Sequence, residues 1–103
     1  MIKIYIKENE IRIKGHANYN EFGKDIVCAS VSTVIYTTIN YIMNIDKSSL
    51  EYTDNSNVIT ITKINSNEVV DILLNTMIEI LKDLENQYKE NIKIESEEWK
   101  CYI

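Results

Sequence analysis

The sequence predicts an α+β fold: a two-layer domain with a mixed or antiparallel sheet of about five strands and two helices, in the order β-β-α-β-β-α-β. Three observations predict it. Short isoleucine-rich runs alternate with polar residues at period two, the spacing of a half-buried strand. Two longer segments carry apolar residues at helical spacing instead. The 103 residues fit one compact domain (1–103), with no visible repeat, linker or proline.

Taken in order, Ile2, Ile4 and Ile6 alternate with Lys3, Tyr5 and Lys7, and Ile11 and Ile13 resume the pattern after the polar Glu8-Asn9-Glu10 turn. These make a first hairpin. The segment Asp25 to about Met43 is ambiguous. Its Val, Ile, Thr and Tyr content favours strand on propensity. Its unbroken length and the stripe Val27, Val31, Val34, Ile35, Thr38, Ile42 favour a buried helix. Leu50 and Tyr52, then Ile59 and Ile61, flank the turn-forming Asp54-Asn55-Ser56-Asn57 and make a second hairpin. From about Glu68 to Tyr88, Val70, Leu73, Leu74, Met77, Leu81, Leu84 and Tyr88 share one helical face, with Glu85 and Lys89 as an i,i+4 pair outside. Ile92 and Ile94 close the chain's regular structure as a short strand.

Composition narrows the function. Hydrophobic residues are 45% and charged residues 26%, an ordinary soluble balance. No apolar run approaches the roughly 20 residues of a membrane span, and no leader is visible, so a cytoplasmic protein without membrane contact is expected. A net charge of −5 argues against direct nucleic-acid binding, which needs a basic surface, and is compatible with a basic partner. Cys28 and Cys101 form no CxxC pair, and in the cytoplasm two thiols are expected rather than a disulfide. With a single histidine, a four-ligand zinc site would have to recruit carboxylates; no metal and no cofactor are expected.

Both glycines of the chain, Gly15 and Gly23, flank its one histidine, His16, and Cys28 follows five residues after Gly23. Glycine serves where backbone turns sharply or approaches something closely. If the helix begins near Asp25, Cys28 lies in its first turn, where open N–H groups and the helix dipole favour a thiolate. An imidazole beside that thiol makes the pair used in nucleophilic acyl transfer, and first-turn N–H groups can hold an oxyanion. Each residue also has a plainer reading. Cys28 reads as a small core hydrophobe, His16 as a structural residue after a strand, and Asp25 as a helix N-cap. Ser32, one turn beyond Cys28 on the same face, reads as a hydroxyl bonded back to the Cys28 carbonyl. Cys101, in the acidic tail, has no base near it in sequence.

The stretch Gly15-His16-Ala17-Asn18-Tyr19-Asn20-Glu21-Phe22-Gly23-Lys24-Asp25-Ile26-Val27-Cys28-Ala29-Ser30-Val31-Ser32 resembles the signature of the ribosomal-processing cysteine protease Prp family. That signature is Gly-His-Ala, a short variable loop, then Gly-x-Asp-Ile-Val-Cys-Ala-x-Val-Ser. The resemblance favours helix for the ambiguous segment. It implies a homodimeric cysteine endopeptidase of low-GC bacteria and their relatives. Its substrate would be a large-subunit ribosomal protein, the L-twenty-seven protein, from which it removes a short N-terminal extension. By the same resemblance, Cys28 is the nucleophile and His16 the general base and acid, with Asp25 and Ser32 in support. The loop of Gly15, Ala17, Tyr19, Phe22 and Gly23 covers the site, Tyr19 and Phe22 lining a groove for the aromatic residues before the cut. Asn18 departs from the glycine many members carry, and asparagine tolerates positive φ better than most residues. Two other readings are a non-catalytic ribosome-associated binding module, which the acidic charge would suit, and a thiol redox sensor at Cys28.

Overall fold

The computed structural model describes residues 1–15, 24–55, 57–65 and 67–96, with backbone alone at 24 and 25. Its elements are β1 (Ile2–Ile6), β2 (Glu10–Lys14), α1 (Lys24–Ile45), a 3₁₀ turn (Lys47–Ser49), β3 (Leu50–Asn55), β4 (Val58–Lys63), α2 (Glu68–Gln87) and β5 (Ile92–Ser96). The five strands form a mixed sheet in the order β3-β4-β2-β1-β5, antiparallel except where β5 lies parallel to β1. The predicted architecture therefore holds, with the ambiguous segment a helix.

Alternation builds the two layers. Ile2, Ile4, Ile6, Ile11, Ile13, Ile59 and Ile61 are buried on the face that meets the helices, while Lys3, Tyr5, Arg12 and Thr60 take the other face. From α1, Val27, Val31, Ile35, Ile39 and Ile42 join this core, and α2 adds Val70, Leu74, Met77, Ile78 and Leu81. Ile39 and Ile78 lie outside the predicted stripes, because a helix packed against both a sheet and a neighbouring helix buries a wider arc than one seam. Full burial of such side chains contributes about 1.5–3 kcal/mol each. The stretch Ile26–Ile45 is long and apolar enough to cross a membrane, contrary to the sequence expectation. Its inner stripe is spent on the core, while Thr33, Thr37 and Asn40 are exposed together with the apolar Ile26, Tyr41 and Ile45.

Two further sequence expectations change. The helix reaches one residue earlier than expected, so Asp25 lies inside α1 and is not its N-cap. At the other end of the fold α2 stops at Gln87, leaving Lys89 beyond the helix, and Glu85 instead accepts a hydrogen bond from the Ile94 N–H (2.8 Å). This occupies an N–H on the outer edge of β5, a position otherwise open to pairing with another strand.

The direction of α1 across the sheet is fixed at two points. At its C-terminal end Asp46 accepts from the Ser48 hydroxyl (2.6 Å) and caps the 3₁₀ turn through the Ser48 N–H (3.1 Å), and these hydrogen bonds hold the Asp46 carboxyl below the usual carboxylate range. The Asn67 side chain accepts from the N–H groups of Val69 (2.9 Å) and Val70 (3.3 Å), capping α2, and donates to Asp46 (3.3 Å). Further back along α1 the Tyr36 hydroxyl donates to Asp54 on β3, and its ring meets Tyr52 edge to face. Loss of hydration, then the Asp54 carboxylate, push Tyr36 up to about 12.

Two outcomes follow from these contacts. Asn67→Ala lowers stability by about 1 kcal/mol, read from chemical denaturation. Because Tyr36 keeps its proton longer in the fold than in the unfolded chain, its contribution is present below pH 10 and drains away between pH 10 and about 12. Phenolate absorbance should accordingly show a late-titrating tyrosine that Tyr36→Phe removes.

Candidate active site

Strand register sets one wall of the site. Lys14 pairs with Val58, and the chain leaves β2 at Gly15, whose N–H donates to the Asn57 carbonyl (3.1 Å). Gly15 has φ 83° and Asn57 φ 70°. Both residues are thus left-handed where they meet, the conformation glycine and asparagine tolerate best. The glycine before His16 is therefore explained by backbone geometry: it turns the chain off the sheet immediately ahead of the imidazole-bearing residue. Sequence alone marks Asn57 only as a turn former. Its signal was its residue type, but its partnership with Gly15 required the sheet register.

The helix brings the second component. Going from Leu50 to Asp54 along β3, α1 is traversed backwards from its C-terminal end to Tyr36. Cys28 lies eight residues further back, about 12 Å along the axis at 1.5 Å per residue. It therefore sits towards the end of the sheet formed by Asn55, Asn57 and Gly15. Cys28 is half-buried and packs against the core beside the buried Val27 and Val31. Ser32, also half-buried, follows at i+4 on the same side of the helix. Ser30 bonds back to the Ile26 carbonyl (2.9 Å).

With α1 beginning at Lys24, Cys28 is the fifth helical residue and opens the second turn. Within the helix, the N–H groups left without a helical partner are those of Lys24 to Ile26, not that of Cys28. This corrects the first-turn placement. The helix dipole acts most strongly one turn earlier, but helical side chains lean towards the N-terminus, so a thiol at Cys28 still projects over that first turn. Asp25, whose side chain is not described, stands within it.

His16, Ala17, Tyr19, Phe22 and Gly23 lie outside the described residues, as does Cys101. The structure thus brings Gly15, the start of α1, Cys28 and Ser32 to one end of the molecule, with the His16 segment joining Gly15 to Lys24. Among the described residues no cluster of three His, Cys, Asp or Glu side chains is arranged to hold a metal.

Residues 1–93 match the family model described as Cysteine protease Prp, a span that includes Gly15, His16, Asp25, Cys28 and Ser32. The ribosomal processing cysteine protease Prp of Staphylococcus aureus is 32% identical over 91 residues, covering 85% of this chain and 86% of that protein. Its namesake in Mycoplasma genitalium is 34% identical over 101 residues, covering 96% and 99%. The fold agrees with the crystal structure of the S. aureus protease in complex with a substrate peptide (TM-score 0.86, 26% identity, 94% of this chain and 100% of that one). It agrees also with the same protease carrying a covalently linked product peptide (TM-score 0.83, 28% identity, 94% and 100%). On sequence and fold together, the chain belongs to the Prp family of cysteine proteases.

Proposed function

We propose that this protein is a cytoplasmic, homodimeric cysteine endopeptidase that removes a short N-terminal extension from a large-subunit ribosomal protein, the L-twenty-seven protein, during ribosome assembly. The reading rests on one observation above the others. A half-buried cysteine at the N-terminal end of a core helix lies towards the sheet end from which the His16 segment departs. A relative of the same fold is known with a covalently linked product peptide, the kind of adduct a cysteine nucleophile forms.

In this mechanism the Cys28 thiol passes its proton to His16 and Sγ attacks the scissile carbonyl carbon. The C=O bond opens to a tetrahedral oxyanion. The open N–H groups at the start of α1 are donors of the right kind to stabilise it. Collapse breaks the C–N bond as His16 returns the proton to the leaving amine, and a thioester remains on Cys28. Water, deprotonated by His16, then attacks the thioester and releases the carboxylate and the thiol. Asp25 serves to orient the imidazole and Ser32 to support the thiol, while Tyr19 and Phe22 line the groove for the substrate's aromatic residues.

The test is cleavage of the host ribosomal protein, followed by mass spectrometry of its N-terminus. Wild type generates a new N-terminus. Cys28→Ala and His16→Ala lower the rate by roughly 10³-fold or more with unchanged circular dichroism. Full activity in either variant contradicts the mechanism. Stable capture of the ribosomal protein with no new N-terminus would favour the binding module.

A further inference from the structure

The sheet face turned away from the helices carries an arrangement that proteolysis does not use. The register places Lys3 directly opposite Lys14 on β2 and directly opposite Lys93 on β5. Lys93, Lys3 and Lys14 therefore form a row across three adjacent strands, about 5 Å from one to the next. All three are exposed, and none is ion-paired among the described residues. Like charges directly opposite on neighbouring strands are destabilising. Two such pairs share one row in a chain whose net charge is −5.

Much of the negative charge sits on the other layer, while Glu10, Glu51 and Glu95 share the sheet face with the lysines. On the helical layer, α2 carries Glu68, Asp71, Glu79, Asp83 and Glu85 against Lys82. On the open sheet face, the next row holds Glu95, Tyr5 and Arg12, and Arg12 is paired with Glu10 (2.9 Å). Tyr5 adjoins the lysine row, and Lys14 Nζ lies over its ring, 5.5 Å from the ring centre, so binding has to exchange this ammonium for a base on that face. Tyr5, Lys7, Glu10, Arg12 and Lys14 line a depression of ≈ 140 Å³.

We propose that this face binds single-stranded RNA, with Lys93, Lys3 and Lys14 on the phosphates and the Tyr5 ring against a base. The lysine row calls for a polyanion, and the adjoining aromatic ring on an open sheet distinguishes RNA from an acidic peptide, which would gain little from stacking. The whole-chain charge argues against nucleic acid, but it averages over the acidic α2 surface and a sheet face on which Lys93, Lys3 and Lys14 stand in one row. The row includes Lys14, next to Gly15 where the His16 segment begins, so bound RNA lies at the same end of the sheet as the proposed catalytic site.

The test is fluorescence anisotropy with a labelled oligouridine of about ten nucleotides, titrated over a range of salt concentrations. The Lys3→Gln/Lys14→Gln/Lys93→Gln variant is expected to bind at least tenfold more weakly. Its slope of log K against log salt should be shallower by about 2, from three lost contacts at about 0.7 each. Lys93→Gln alone, a change on an edge strand, should reduce the slope by about 0.7. Cys28→Ala should bind as wild type does, separating this site from the proteolytic one. Absence of binding by wild type, or equal binding by the triple variant, overturns the proposal. So does equal competition by polyglutamate, or a changed sedimentation coefficient in the triple variant, which would assign the face to contact between copies.

Discussion

The seating of α1 on the sheet is the constraint on which the rest depends. Its buried stripe, Val27 through Ile42, joins the core formed with the inner face of the sheet. The Asp46 junction and the Tyr36–Asp54 bond fix how it lies along β3. Once those are set, the first turns of the helix place Cys28 towards the sheet end of the Gly15–Asn57 turn. The nucleophile candidate is thus placed by core packing some 12 Å away, through a rigid helix. Independently of that helix, the chain leaves β2 in a left-handed turn at Gly15, the residue before His16.

This division explains what the sequence disclosed. The strands were legible because isoleucine alternation is unambiguous when one face is buried and the other wet, as in Ile2-Lys3-Ile4-Tyr5-Ile6. For α1, composition and period disagreed, and tertiary burial decided: β-branched residues at positions 27, 31, 35, 39 and 42 are tolerated in a helix when each fills the core. Pairwise relations were not legible. Nothing local indicates that Glu85 reaches Ile94, that Tyr36 meets Asp54, or that Gly15 rests on Asn57. The prominence of Gly15, His16 and Cys28 was visible in the sequence. The helical turn of Cys28 was not, because helix starts are set by the preceding segment as much as by the helix itself.

The two layers also separate electrostatics. A single net charge describes neither the acidic α2 surface nor the lysine row on the opposite face, and the row became visible only when register set three lysines from distant sequence positions side by side. An isolated amphipathic strand places its polar residues anywhere along the solvent face. It takes three strands in a fixed register to align positions 3, 14 and 93.

The central claim is that Cys28 and His16 act as one chemical unit, and the most direct measurement is the pH dependence of iodoacetamide alkylation at Cys28. It is made by peptide mass spectrometry in a Cys101→Ser background, with and without His16→Ala. The account predicts that Cys28 with His16 present reacts fast at neutral pH, its rate falling only in acid. Without His16, reactivity should recede to the alkaline range of an ordinary thiol, about 8.5. Profiles that coincide in the two proteins, both rising as an ordinary thiol ionises, would contradict the pair and return Cys28 to the core.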